Sequence, residues 1–235
     1  DMLLVSSRLR AEGITLIAPL MREGHLLAPL LRRAAAARGL SVEVEPLYVS
    51  RHSVALAGIR DTKGELLSRL FEGRRHFTVD DLFELVDLPV PSELEAHRRT
   101  LTTSAGTVEV SPGISLGAWV ATYLTSDSIQ WHMGRLVRDE RRQLVGYLDG
   151  VFKEHRAVAT LDVGFYGQIQ QSIDTALALE GRRVRTTHLL GFGHGPVRDQ
   201  VIQGLDVRTF AGGYGEHGDL VRTIHRSAPV LEQLL

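Results

Sequence analysis

The chain has 235 residues, of which 43% are hydrophobic and 23% charged, which is the balance of a globular protein with a core of its own. It contains no cysteine, so disulfides, a thiolate nucleophile and cysteine-ligated zinc are excluded. The net charge of −1 argues against a global basic field of the kind that holds a nucleic acid backbone.

The sequence shows no apolar run of transmembrane length and no signal-peptide pattern at its start. We therefore expect a cytoplasmic protein without a transmembrane segment, in agreement with the lack of cysteine. The chain begins at Asp1, which is compatible with a processed chain or a part of a longer one. All basic residues except Lys63 and Lys153 are arginines, a bias that suits phosphate binding but that a GC-rich genome also produces.

The first fifty residues predict a strand–helix–strand unit. Residues 1–12 are typical of a short amphipathic helix, and residues 14–19 form an apolar strand candidate. A helix is predicted from His25 to about Arg38, and an alternating strand over residues 42–49. Such a βαβ unit indicates a parallel sheet.

Two details of this unit can be predicted from its residue types. Pro29 limits the start of the helix, because proline is tolerated only within the first helical turn. Pro46 interrupts the second strand and favours an edge position or a bulge. We expect the helix to bury one face made of four leucines: Leu26, Leu27, Leu30 and Leu31.

The middle of the chain, about residues 60–150, predicts a helical insertion or cap within one domain that spans 1–235. Residues 78–81 resemble an N-terminal capping sequence, and residues 92–95 a full capping box. Residues 127–152 predict a long helix, and residues 101–117, rich in Thr, Ser and Gly, predict a loop.

A second βαβ unit is predicted towards the end of the chain. It consists of a strand over 157–162, a helix over 167–180 and a strand over 183–192. A further strand near 205–210 and a closing helix over 218–235 follow. The fold class is therefore α/β, with a mostly parallel sheet flanked by helices.

The turn between residues 162 and 167 is a candidate anion site. A buried strand ends in Asp162, and a tight Gly164–Gly167 turn leads into a helix, whose first N–H groups and positive dipole end face the turn. Asp162 beside them suits a metal or a sugar hydroxyl. An ordinary strand-to-helix connection, with glycines for close packing, is an equally good interpretation.

Two more charged turns follow strand candidates, at the sheet edge where ligands bind in open parallel sheets. In the first, Arg22 suits a phosphate, Glu23 a metal or hydroxyl, and Gly24 allows close backbone approach. In the second, Arg51 follows Ser50. The alternatives are a solvated turn and a surface arginine beside a serine N-cap.

The residues of these three turns resemble a known family. The segments Leu20–Leu27, Leu47–His52 and Leu161–Gln170, and more weakly Ile224–Glu232, are similar to blocks in bacterial proteins from polysaccharide gene clusters. Those proteins pair a phosphoribosyltransferase-like domain with a haloacid-dehalogenase-type (HAD-type) phosphatase.

The resemblance implies a phosphoribosyltransferase-like fold and transfer of ribose 5-phosphate from phosphoribosyl pyrophosphate (PRPP) to a saccharide acceptor. A HAD-type phosphatase domain or chain would then be a partner. The resemblance assigns catalytic roles to Asp162, Glu23 and Arg22 and a metal role, towards Mg²⁺, to Asp162. The implied substrate-binding residues are Gly24, Ser50, Arg51, Gly164, Phe165, Tyr166, Gly167, Gln168, Gln170 and His194.

The sequence departs from the family pattern at two places. Ordinary phosphoribosyltransferases carry two adjacent acids before the phosphate loop, whereas Leu161 and Val163 flank Asp162 here. Relatives tend to have Arg-Asp-Gly where this chain has Arg22, Glu23 and Gly24. The general base stays open between Asp162, Glu23, Asp127 and a histidine. An Asp-x-Asp-x-Thr phosphatase motif is missing, so the phosphatase would lie outside this chain.

The histidines and tryptophans carry weaker signals. No His-Glu-x-x-His spacing occurs, which argues against zinc, although His194 could line the crevice. Trp119, Trp131 and His132 lie in the helical middle, where a core or an acceptor-facing position is more typical than catalysis. The main alternative function is a non-catalytic phosphosugar- or nucleotide-binding module attached to a HAD-type phosphatase or a glycosyltransferase.

Overall fold

The computed structural model describes residue 9, residues 11–21, 23–71, 77–164, 166–195 and 197–212, and residue 223. The chain divides into two compact units. The sheet unit comprises the described residues up to Val54 and those from Gln143 onwards, and the helical unit comprises Ala55–Arg142. No helix among the described residues is both long and apolar enough to cross a membrane.

The sheet unit is built on five parallel strands in the order β2-β1-β5-β6-β7. This confirms the predicted α/β class with its parallel sheet and flanking helices. Its strands are β1 (Leu16–Pro19), β2 (Glu43–Val44), β5 (Ala157–Asp162), β6 (Arg185–Gly193) and β7 (Val207–Gly212). Its helices are α1 (Gly24–Ala37), α6 (Gln168–Leu179) and α7 (Val197–Ile202), together with the C-terminal part of α5 (Asp127–Phe152).

Strands β1 and β5 are buried over most of their length because both faces of the sheet are covered. All four residues of β1 are buried, and so are Val158–Leu161 of β5. Near-continuous apolar runs of this kind are typical of parallel strands. Residues 157–162 form a strand as predicted, whereas β6 and β7 begin and end within two residues of their predicted limits.

Helix α1 confirms the predicted element but corrects its details. Leu27 and Leu31 pack against the core on the stripe that also contains the buried Ala28 and Ala35, whereas Leu26 and Leu30 are 48% and 53% exposed. The predicted four-leucine face was therefore too wide. Pro29 lies at the sixth helical position, so the helix begins earlier than the proline rule predicted.

Strand β2 is an edge strand, as Pro46 predicted, but it is much shorter than residues 42–49. Only Glu43–Val44 pair continuously with β1, and an isolated bridge between Leu47 and Leu20 extends the contact. The N–H groups of Glu43, Glu45 and Leu47 all donate to carbonyls of the neighbouring β1 segment, so Pro46 lies at a position that faces away from β1. A proline, which has no N–H, is tolerated there because this side of an edge strand has no partner strand. The predicted helices over 1–12 and 218–235 fall largely outside the described residues.

The helical unit has its own core. It consists of α2 (Gly64–Phe71), α3 (Val79–Leu85), a hairpin of β3 (Glu109–Ser111) and β4 (Ile114–Ser115), α4 (Leu116–Leu124) and residues 127–142 of α5. Fully buried side chains of this unit include Leu66, Phe83, Leu94, Val120, Leu124 and Met133. Residues 101–117 are thus a short 3₁₀ turn and a hairpin rather than the predicted loop.

The capping box lies at Thr78 and not at Ser92, where it was predicted. The Thr78 hydroxyl accepts the Asp81 N–H, and the Asp81 carboxylate accepts the Thr78 N–H at 2.8 Å. Ser92 follows Pro91 and lies inside a 3₁₀ helix that has no side-chain cap. The Ser-x-x-Glu spacing was misleading because the cap requires an extended residue before a true α-helical turn.

Replacing Thr78 by alanine should lower the free energy of unfolding by about 1 kcal/mol, since it removes one half of a reciprocal cap. The matched variant Ser92→Ala removes only an exposed bond to Glu93 and should change the stability much less. Urea denaturation of both variants measures the difference, and equal losses would contradict the assignment of the cap.

An ion-pair network ties β7 to the segment before β1. Arg208 donates to both carboxylate oxygens of Glu12, at 2.8 and 2.7 Å, and its Nε donates to Asp206 at 3.2 Å. The hydrogen bond from Arg208 lowers the pKa of Glu12. Burial alone would raise the pKa of Asp206, but the bonds from Arg208 and Thr187 outweigh it and lower that pKa.

The Arg208→Gln variant should have a lower Tm than the wild type at pH 7, and the difference should shrink in acid. Both carboxyl groups have lowered pKa values in the folded state. Their contribution is therefore present above the ordinary carboxyl pKa of about 4 and is lost as the pH falls through the lowered values. Thermal melts between pH 3 and 7 measure this. Arg142→Gln, whose exposed pair with Asp139 spans 3.6 Å, should show little effect at any pH.

Candidate functional site

Backbone hydrogen bonds bring the starts of the three predicted turns to one edge of the sheet. The Leu20 N–H donates to the Leu161 carbonyl at 2.7 Å, and the Met21 N–H donates to the Leu47 carbonyl at 3.0 Å. The segment after β1 is therefore held between the end of β5 and the segment after β2. This edge contains the carboxyl ends of the parallel strands, where ligands bind in open α/β sheets.

The turn after β1 is shaped by a close approach of α1 to the strand. A Cβ atom on Gly24 would lie 2.9 Å from the Met21 sulfur and 3.0 Å from the Pro19 carbonyl oxygen, so glycine permits this close approach. Glu23 is half-buried at the N-cap position of α1 and makes no side-chain cap. Arg22 lies outside the described residues. The packing interpretation of Gly24 is thus sufficient to account for the residue.

The turn after β2 is closed on itself. The Ser50 hydroxyl accepts the Ser53 N–H at 3.1 Å, and the Ser53 hydroxyl accepts the Ser50 N–H at 2.9 Å. Consecutive turns follow instead of a helix, and Arg51 is exposed. The Tyr147 hydroxyl accepts the Tyr48 N–H at 2.7 Å and fixes the direction in which this segment leaves the sheet.

Asp162 organises the turn after β5. Its Oδ1 accepts the Gly164 N–H at 2.8 Å, and its Oδ2 accepts a hydrogen bond from the Gln170 amide at 3.0 Å. A Cβ atom on Gly164 would lie 2.7 Å from the same carboxylate. Asp162 is half-buried, while Gln170 is only 1% exposed. The carboxylate therefore holds its own loop closed over the first turn of α6.

The N-terminus of α6 has no side-chain cap. Its N-cap residue is Gly167, which has a left-handed φ of 67° and therefore favours glycine. The first N–H groups of a helix lack intrahelical acceptors and carry the positive end of the dipole. Gln168, the first helical residue, is half-buried. Such a helix end, without a side-chain cap, is the arrangement that the predicted anion site requires.

The segment that follows β6 also contacts the turn after β5. The His194 ring packs edge-on against Tyr166, with 6.2 Å between the ring centroids. Further along, a Cβ atom on Gly167 would lie 2.3 Å from Oε1 of Gln200. The structure thus brings Tyr166, Gly167 and His194 together with Asp162 and Gly164. Phe165 lies outside the described residues.

Gln200 is a candidate site residue that the sequence reasoning missed. It lies on α7 three residues after the buried Val197 and is itself only 6% exposed. The sequence offered one signal for it, a polar residue three positions after Val197, on the same side of a helix. This signal could not be recognised from the sequence alone, because a helix of six residues is too short to show a periodic pattern.

His188 has a structural role in this part of the sheet. The ring is fully buried, its Nδ1 lies 2.8 Å from the Thr160 hydroxyl, and its Nε2 lies 3.0 Å from Asp174 on α6. Thr186 also donates a hydrogen bond to Asp174. This network connects β5, β6 and α6, and so it fixes the orientation of the helix whose N-terminus forms the candidate anion site.

The described residues contain no group of three or more His, Asp or Glu side chains placed to hold a metal. Asp162 is a single carboxylate, and each of its oxygens already accepts one hydrogen bond. A carboxylate oxygen has two lone pairs, so Asp162 retains capacity for one more partner at each oxygen. This fits Mg²⁺ that is coordinated mainly by the phosphates of a substrate, and it does not fit an all-protein cage.

The aromatic residues of the helical unit have identifiable local partners. Trp119 stacks on Tyr123 with 5.3 Å between the centroids, and the His132 ring lies 2.9 Å from the Val86 carbonyl. Trp131 is 68% exposed, with the Arg135 guanidinium 5.4 Å from its ring. A core position is therefore wrong for Trp131.

Comparison with models of known protein families gives no match, and a search of curated proteins finds no significantly similar sequence. The functional assignment therefore depends on the geometry at the carboxyl edge and on the motifs that occur there.

The Gly167→Ala variant should lose about 1–3 kcal/mol of stability, because alanine is strained at the left-handed φ and its Cβ meets Gln200. Gly146→Ala, within α5 with nothing near the added methyl, should instead be neutral or stabilising by about 0.5–1 kcal/mol. Chemical denaturation measures both. Adding Gln200→Ala to Gly167→Ala should restore part of the loss, and strict additivity would contradict the contact.

Proposed function

We propose that this chain transfers ribose 5-phosphate from PRPP to a saccharide acceptor. The observation that supports it most is the uncapped N-terminus of α6, which follows a glycine turn organised by Asp162. This site lies at the carboxyl edge of a parallel sheet, beside the turn that begins at Leu20. The resemblance of the three turns to glycan phosphoribosyltransferases supplies the substrate class.

The site offers suitable groups for each part of the donor. The N–H groups at the start of α6 would bind the 5-phosphate, and Asp162 would accept hydrogen bonds from the ribose hydroxyls. Arg22, with Glu23 and Gly24, would form the pyrophosphate loop, supported by Ser50 and Arg51. His194 would line the ribose side through its contact with Tyr166.

The reaction forms one bond and breaks one. The acceptor hydroxyl oxygen bonds to C1 of ribose, and pyrophosphate leaves with the electron pair of the C1–O bond. Positive charge develops on the sugar and negative charge on the leaving group, so arginines and N–H groups near the pyrophosphate stabilise the transition state. The hydroxyl proton passes to a base, for which Asp162, Glu23 and a histidine are the candidates at this edge.

Mg²⁺ would enter with the donor, bound to its phosphate oxygens, and Asp162 would be its ligand from this chain. When bound, the ion neutralises charge on the departing pyrophosphate. A HAD-type phosphatase domain or chain would then remove the 5-phosphate from the product, which makes the transfer one step of polysaccharide biosynthesis.

One observation favours the alternative, a non-catalytic phosphosugar-binding module that serves such a phosphatase or a glycosyltransferase. Each oxygen of Asp162 already accepts one hydrogen bond, from Gly164 or from Gln170, and no second acid flanks it. A site of this kind binds a phosphosugar without supplying a strong metal site or a free base.

PRPP should raise the Tm of the wild-type protein, and more so with Mg²⁺, because a ligand that binds only the native state stabilises it.

Asp162→Asn should lower the rate of pyrophosphate release in the presence of a saccharide panel by on the order of a hundredfold. The fold should persist, because the carbonyl oxygen of an asparagine can still accept the Gly164 N–H. The Gln170 amide can rotate so that its own oxygen accepts a hydrogen bond from the asparagine NH₂ group.

Asp149→Asn is the matched control, since Asp149 pairs with Arg182 on the exposed side of the sheet unit. It should leave both the Tm increase and the release rate unchanged. Binding of PRPP without release would favour the non-catalytic module. A wild-type Tm that PRPP and ribose 5-phosphate do not change would contradict both functions.

A further inference from the structure

Gln200 places an unpaired buried oxygen beside the N-terminus of α6. The residue is 6% exposed, and its Oε1 is shielded from solvent and accepts no hydrogen bond from the residues that the structure describes. Oε1 lies 2.3 Å from the position that a Cβ of Gly167 would occupy. The oxygen is therefore directed at the N-cap residue of the helix, where Gly167 provides no side chain.

An unpaired oxygen at this position is unfavourable in the free protein. A buried acceptor without a donor loses its hydration and receives nothing in exchange. Methionine has nearly the same length and no such penalty, so packing alone does not require a glutamine here. Buried polar groups left without partners in native structures are often found at functional sites.

The chemistry of the oxygen restricts what it can bind. A carbonyl oxygen accepts hydrogen bonds and repels a bare anion, whereas the N–H groups of the α6 N-terminus attract one. The two features together suit a ligand that presents an anionic group to the helix and a hydroxyl to Gln200. A phosphorylated sugar carries both groups on one small molecule, whereas sulfate has only the anion.

We propose that Gln200 is a ligand-binding residue that accepts a hydrogen bond from a sugar hydroxyl and selects phosphosugars over simple anions at the α6 N-terminus. This inference rests on the proposed function for the class of ligand. It adds Gln200 on α7 to the proposed binding residues and explains how the site would distinguish a phosphosugar from a simple anion.

The test compares ribose 5-phosphate with sulfate on the wild type and on Gln200→Met by calorimetry. The variant should bind ribose 5-phosphate about five- to tenfold more weakly, the range of a neutral hydrogen bond, and bind sulfate at least as well as the wild type. Its Tm without ligand should equal or exceed that of the wild type, because the unpaired oxygen is gone. A residue with only a packing role would not produce this combination.

Gln203→Met is the matched control, since Gln203 is an exposed glutamine in the turn that follows α7. It should leave both affinities unchanged. Gln200→Asn, which keeps the amide but withdraws it by one methylene group, should show the same selective loss and provides the answer if the methionine variant does not fold.

The outcomes separate the two proposals. Equal ribose 5-phosphate affinities of the wild type and Gln200→Met would overturn the role of Gln200 and leave the proposed function standing. A parallel loss for sulfate would also overturn it, because the effect would then come from distortion of the helix end. Wild-type protein that binds neither ribose 5-phosphate nor PRPP would overturn the proposed function together with this inference.

Discussion

The parallel pairing of β1 with β5 is the constraint on which the candidate site depends. Four consecutive residue pairs, from Leu16 with Val158 to Pro19 with Leu161, bring two strands from distant parts of the chain into one register. Parallel strands in register end at the same edge, so the turns that follow them start side by side. The bond from the Leu20 N–H to the Leu161 carbonyl continues this pairing beyond the end of β1. The turns that contain Glu23 and Asp162 therefore begin at the same edge of the sheet.

The orientation of α6 is a second constraint, and it is set from inside the sheet. His188 is buried with one ring nitrogen at Thr160 and the other at Asp174, so the imidazole connects the helix to two central strands. A polar network in a low-dielectric interior is rigid when every member is satisfied, because any displacement leaves a group unpaired. The helix therefore cannot rotate freely on the sheet. Its N-terminus and dipole keep a fixed direction towards the Asp162 turn.

The sequence predicted what is encoded locally and failed where distant contacts decide. The strand that ends in Asp162 and the helix over 127–152 were predictable because apolar patterning specifies them within a single segment. The hairpin within residues 101–117 was missed because strands of two or three residues carry too little pattern. The exposure of Leu26 and Leu30 depends on the neighbours of α1, and the approach of Gln200 to Gly167 depends on how α7 lies against the turn after β5. Periodicity within one segment contains no information about either.

The arrangement around Asp162 bears directly on which step of a transfer it can perform. Among the described residues, each oxygen accepts one hydrogen bond, from the Gly164 N–H of the turn or from the Gln170 amide in the first turn of α6. Removing a proton from an acceptor sugar requires an oxygen free to receive it, and protonation would weaken the bonds that keep the loop closed. Orienting ribose hydroxyls requires only the remaining lone pairs and leaves the loop intact. For the proposed transfer, Asp162 is therefore better suited to hold the donor sugar than to act as the base, which leaves Glu23, half-buried on the neighbouring turn, as the other carboxylate candidate for proton transfer.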